Sequence, residues 1–146
     1  MSTVCFSCTI SSSDPAVPLT LRIVLDSRDI LNLSPVPENY KFEYTFDDSD
    51  DVQQHVMEFV LDGKLPEHTV VDEQGNIVSD VTVTVDNKAF ESVTIDGIFN
   101  QTTAYHHDFN GSQEPIIDEF FGTLGCNGRA EFRFTTPIYL WMLENL

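Results

Sequence analysis

The chain has 146 residues, 41% of them hydrophobic, which suits one globular domain able to bury a core without disulfides. Seven basic residues against 24 acidic ones leave a formal charge of −17. That balance excludes a nucleic-acid binder, since a phosphate backbone would be repelled and no Lys or Arg cluster opposes it, and it disfavours docking on an anionic membrane.

Residues 1–18 form a Ser-rich lead closed by Pro15 and Pro18. Val4, Phe6, Cys8 and Ile10 share a face, so the segment reads as an N-terminal edge strand or as an arm reaching a neighbour. Met1–Leu21 lacks a basic start and a long apolar core, as expected of a protein made in the cytoplasm without a signal peptide. A single β-sandwich domain is expected over 19–146. Its first strand is Leu19–Asp26, with Leu19, Leu21, Ile23 and Leu25 on one face. Ser27–Asn39, holding Pro35 and Pro37, reads as a turn region, since proline cannot donate to a ladder. Strands follow at Lys41–Phe46 and His55–Leu61, separated by the acidic turn Asp47–Asp51. Asp62-Gly63 and Gly75-Asn76 are turn signals. Asp80–Asp86, with Val81, Val83 and Val85 alternating with threonines, is the cleanest strand, and Ser92–Asp96 is a shorter one.

Phe99–Gly128 shows no period, and its glycine-rich end, Gly122–Gly128, predicts a tight turn where backbones approach closely. Arg129–Phe134 is the last strand. After Thr136-Pro137, the spacing of Ile138, Trp141 and Met142 predicts a short C-terminal helical turn, with a buried strand as the alternative. Pro137–Leu143, the longest apolar cluster, is too short to span a bilayer. Strands between turn signals at this spacing predict an all-β antiparallel sandwich, a jelly roll.

Candidate chemistry is sparse. Asp72, Asn76 and Asp80 offer the oxygen donors that a hard cation such as Ca²⁺ requires. The same residues also make turns and protect an edge. Cys5 and Cys8 have one half of a zinc-knuckle spacing that His106, His107 and Cys126 would have to complete. Three cysteines are an odd number, and the expected state is three reduced thiols. No Gly-x-Ser-x-Gly elbow exists, and the glycine-rich segment lacks the Lys of a phosphate loop. The loop from Tyr105 to Gly111 sets Tyr105, His106, Asp108 and Asn110 side by side. An aromatic face beside amides and carboxylates can stack on a sugar while binding its hydroxyls. Tyr139 and Trp141 in the apolar end are candidate partner contacts.

From Leu19 to Ile98 the order of parts resembles small calcium-dependent carbohydrate-binding jelly rolls of the xylan-binding kind. The matching pieces are the Leu-alternating strand Leu19–Asp26, the aromatic strand Lys41–Phe46, His55–Asp62 with its Asp-containing turn, and the acidic loop opening into the Val-rich strand, Asp72–Val85. That resemblance implies calcium and a carbohydrate ligand. In style, an acidic chain with reduced cysteines and the ending Thr136-Pro137-Ile138-Tyr139-Leu140-Trp141-Met142-Leu143 resembles small virion structural proteins of tailed bacteriophages. This second resemblance implies a non-enzymatic assembly module of a virion, with protein partners and a homo-oligomeric or larger state. The expectation is therefore assembly first, calcium-dependent carbohydrate binding as the alternative, and a small hydrolase third.

Overall fold

Strict alternation over ten residues decides where the first strand lies. In the computed structural model, which describes residues 2–146, β1 (Thr3–Ser12) turns Val4, Phe6, Cys8 and Ile10 inward and the residues between them outward. It pairs with β4 (Tyr40–Asp47) on one side and β8 (Val83–Phe90) on the other. The N-terminal segment is therefore neither an edge strand nor an arm. A two-residue strand, β12 (Thr123–Leu124), closes the far side of β8, giving the order β12-β8-β1-β4, and β9 (Val93–Thr94) also pairs with β8.

The second sheet runs β11 (Ile116–Glu119), β10 (Ala104–His107), β13 (Gly128–Thr136), β5 (Gln53–Asp62), β2 (Thr20–Leu25) and β3 (Arg28–Leu33), every pair antiparallel. The inner faces of the two sheets form one apolar layer, as an antiparallel β-sandwich requires. Phe6, Phe59, Phe90, Phe99 and Phe132 are essentially inaccessible, and the Phe99 ring stacks on Phe132 at 4.2 Å. Each such ring contributes about 1.5–3 kcal/mol by burial.

Four segments depart from the sequence expectation for identifiable reasons. Ser27–Asn39 contains β3, an edge strand with no alternation sharp enough to read because Arg28 and Asp29 are exposed. The expected strand at Ser92–Asp96 shortens to β9, after which α1 (Asp96–Thr102) turns Phe99 into the core. The region without period holds β10, β11 and β12, and all four residues of β11 are exposed, so no face marks it. β6 (Val70–Val71) and β7 (Ile77–Ser79) pair only with each other, outside both sheets.

The chain ends in α2 (Ile138–Asn145) rather than a strand. Its Trp141 packs edge-on against Phe90 and Phe132, both at 5.7 Å. No helix among the described residues is long and apolar enough to cross a membrane.

Candidate functional site

One end of β10 and β11 opens a cleft of about 630 Å³. Pro115, Ile116 and Ile117 form an aliphatic wall; His106, Asp108, Asn127 and Arg129 supply polar groups to the same space. A smaller depression continues from it onto the outer face of the six-stranded sheet, sharing His106, Gly128 and Arg129.

The local sequence explains how this cleft is held open. Phe109, Asn110 and Gly111 follow one another at positive φ, so the chain leaves β10 in a tight reversal. Asp108 Oδ1 fixes that reversal by accepting the Gly111 N–H at 2.8 Å, which leaves Oδ2 without a partner in the turn. Asn110 Oδ1 accepts the Asn127 N–H at 2.7 Å, tying the loop to the turn before β13. Asn127 in turn holds the Lys64 backbone through both ends of its amide, each at 2.9 Å. Gly128 then passes the chain so close to β10 that an added Cβ would lie 2.2 Å from the His106 carbonyl oxygen. The close approach expected of Gly122–Gly128 is thus located at its last residue.

Beneath the cleft, Tyr105 is buried, and its hydroxyl donates to the Cys126 carbonyl and accepts the Cys126 N–H. Burial pushes the phenol far above its ordinary value. The neighbouring His107 is also buried, its ring 4.8 Å from that of Tyr105.

The expected site residues therefore separate by place. His106 and Asp108 face the cleft; Tyr105 staples its floor; Asn110 shapes its rim. Trp141 lies inside under α2, while Tyr139 is two-thirds exposed on the outer side of that helix, away from the cleft. Asn127, Arg129 and the Ile116-Ile117 pair went unread in the sequence. The outward phase of Arg129 along its strand was the one available signal.

Asp72, Asn76 and Asp80 occupy two different structures. Asp72 Oδ1 accepts the N–H groups of Gln74 and Asn76 at 3.0 and 2.9 Å, closing the β6–β7 hairpin on itself. Asp80 instead receives the buried Lys64 ammonium at 2.5 Å, together with the Thr69 hydroxyl and Val81 N–H. Burial alone would raise the Asp80 carboxyl, but the hydrogen bonds and charge of Lys64, aided by Thr69 and Val81, hold it below its usual value. Among the described residues no cluster of three His, Cys, Asp or Glu side chains is placed to hold a metal. Cys8 faces the core whereas Cys5 faces out, so the half-knuckle points in two directions. All three cysteines are free.

A second constellation lies at the other end of the sandwich. His55 Nδ1 is 2.7 Å from Asp26 Oδ2, its Nε2 is 2.8 Å from Thr136 Oγ1, and that oxygen is 2.5 Å from Ser49 Oγ. An acid, an imidazole and a hydroxyl in this order are the parts of an activated nucleophile. Here the hydroxyl on the imidazole belongs to Thr136, which is fully buried. Ser49 sits among Asp47, Asp48, Asp50 and Asp51, whose charge opposes any developing oxyanion. The chain of bonds ties together three distant segments: Asp26 after β2, the stretch from Ser49 to His55, and Thr136 at the end of β13.

The chain matches no protein-family model and no curated protein. Among solved structures it is similar to vCBM60 in complex with galactobiose, at 12% identity and a TM-score of 0.45 over 88% of this chain and 96% of that one. It is likewise similar to a selenomethionine form of vCBM60, described as linking two families of calcium-dependent carbohydrate binding modules by circular permutation, at 12% identity and a TM-score of 0.47 over 88% and 89%.

Proposed function

We propose that this protein is a non-catalytic carbohydrate-binding module whose ligand enters the cleft at the β10–β11 end. The observation that carries the reading is the composition of that cleft. An aliphatic wall of Pro115, Ile116 and Ile117 stands beside the free edge of Asp108, the imidazole of His106 and the guanidinium of Arg129. A sugar ring has the matching chemistry: apolar C–H groups on one face and hydroxyls around the edge that both donate and accept. The turn that presents these groups is fixed by Asn110, Asn127 and Gly128 before any ligand arrives, so little ordering opposes binding.

Titration calorimetry against galactobiose, xylobiose and cellobiose tests the reading. At least one disaccharide should bind, and His106→Ala or Asp108→Ala should weaken it tenfold or more. No heat with any of them, under conditions where the protein is folded, refutes it.

A second reading, protein–protein assembly, is favoured by one observation: α2 exposes Tyr139, Leu140 and Leu143 on its outer side. Light scattering should then show several subunits, reduced to one by Leu143→Glu; a monomer at high concentration counts against it.

A further inference from the structure

The strand register aligns six outward-facing residues in a line across the whole second sheet. Ile117 pairs with His106, His106 with Arg129, Arg129 with Val60, Val60 with Arg22, and Arg22 with Asn32. At the usual spacing between strands this line is ~24 Å long. It begins in the cleft, at Ile117 and His106, and the shallow depression lined by Val60, His106 and Arg129 continues it toward β2.

Beside it runs a second line, formed by the next outward residue of each strand: Glu119, Ala104, Glu131, Glu58, Val24 and Asp29. The first line is rich in donors and the second in carboxylates. They are cross-linked by Arg129 to Glu58 at 3.0 Å and to Glu131 at 3.7 Å, and by Arg22 to Asp29 at 3.2 Å. Glu131 also takes Arg133 at 2.6 Å.

Two features set this face apart from a solvated sheet. Glu131 and Glu58 stand directly opposite each other across β13 and β5, a like-charge pairing that Arg129 compensates by reaching both carboxylates, so acceptors and donors are held side by side. Three of the seven basic residues, Arg22, Arg129 and Arg133, gather here while the chain as a whole carries −17. The result is a strip of donors and acceptors in which each guanidinium is already neutralised by a carboxylate.

We infer that this strip is an extended binding platform for a neutral glycan chain lying across the strands, with the cleft as its first subsite. The inference rests on the carbohydrate reading of the cleft and adds to it a ligand class, a linear uncharged polysaccharide. Vicinal hydroxyls donate to the carboxylates and accept from the guanidinium groups, so no net charge is needed on the ligand. An anionic polymer finds no free cation on the strip and meets the repulsion of the remaining surface.

Calorimetry with galacto-, xylo- and cello-oligosaccharides from the disaccharide to the hexasaccharide tests the platform. The hexasaccharide of the recognised series should bind at least tenfold more tightly than its disaccharide. Arg22→Ala and Asn32→Ala, both at the end remote from the cleft, should each remove most of that gain and leave the disaccharide affinity unchanged. Thermal melts of both variants report whether the fold is retained. A disaccharide that binds with no gain from length, or a gain that survives both substitutions, overturns the platform while the cleft reading stands. Failure of every saccharide overturns both.

Discussion

Lys88 is the least expected residue in the core. It is 1% exposed, its ammonium lies 5.1 Å from the centre of the Phe99 ring, and it donates to the Val85 carbonyl at 2.7 Å. Its counter-charge is Asp96 Oδ1 at 3.1 Å, the same oxygen that accepts the Lys88 backbone N–H at 2.8 Å. Asp96→Asn keeps an oxygen for that N–H and removes the charge facing the ammonium. Breaking one side of a buried pair costs about 3–5 kcal/mol. The Asp96 side chain is 34% exposed; water therefore reaches the pair, and the expected loss falls to about 2–3 kcal/mol.

Lys88→Met, by contrast, removes the charge and keeps the stem between Phe99 and Phe120. Its main cost is the bond to Val85, about 1 kcal/mol. The assay is urea unfolding followed by the fluorescence of Trp141, the single tryptophan. With a slope of about 1–3 kcal/mol per molar, Asp96→Asn should lower the midpoint by roughly 1–2 M and Lys88→Met by well under 1 M. In the double variant the Asp96 substitution should cost little beyond Lys88→Met, since no stranded charge remains. A Lys88→Met protein as unstable as Asp96→Asn would refute the reasoning, because the loss would then come from packing rather than from an uncompensated charge.

Other expectations follow from the same geometry. Gly128→Ala must move the β10 backbone to relieve a 2.2 Å contact at φ +154; it should cost about 2–3 kcal/mol by thermal melt and abolish saccharide binding, and a native-like melt with intact binding would contradict the model of the cleft. The Asp80 carboxyl is lowered in the folded state, so its stabilisation is complete above the unfolded value of 3.8 and is lost as pH falls through the folded one. Asp80→Asn should accordingly flatten the acid side of the stability profile below about pH 4, and an unchanged acid limb would count against it. Burial pushes the Cys8 thiol up to about 12, so a thiol reagent at pH 8 should modify Cys5 first, Cys126 more slowly and Cys8 only on unfolding. Rapid native-state labelling of Cys8 would argue otherwise.

How much could be read in advance depends on whether one face of a strand meets water and the other the core. β2, β4, β5 and β13 show that contrast, and their positions follow from leucine, valine and phenylalanine at every second residue. β8 keeps it only at Val83 and Val85. The strand expected at Asp80–Asp86 runs instead from Val83 to Phe90, where Lys88, Ala89 and Phe90 are buried in succession. β11 shows none, because Ile116 and Ile117 are exposed in succession on an edge, and it was missed together with the cleft it forms. The alternation of β1 left an edge strand and an arm both open, and it is neither, since nothing in ten alternating residues says how many neighbours a strand has. His106 and Asp108 were legible through their loop, whereas Arg129 and Asn127 reach the cleft by pairings of β13 with β10 that no local pattern encodes. Tyr105 and Trp141, read as candidate contacts, are large rings with one polar atom, and the fold uses both as core.

Net charge proved a poor guide to what a ligand meets. Lys64 and Lys88 are buried, so the exposed surface is more acidic than the composition suggests. Arg22, Arg129 and Arg133 are all spent on one sheet face, and there they meet Glu58, Glu131 and Asp29 in bridges. The acid of the Asp47–Asp51 turn is engaged in part: Asp48 accepts the Ile138 N–H at 2.9 Å and anchors the start of α2. What distinguishes this face is therefore its paired charges: three guanidinium groups bridged to Asp29, Glu58 and Glu131, with Glu119 left over. On the carbohydrate reading proposed above, hydroxyls would meet donors and acceptors there without meeting the large net charge of the rest of the surface.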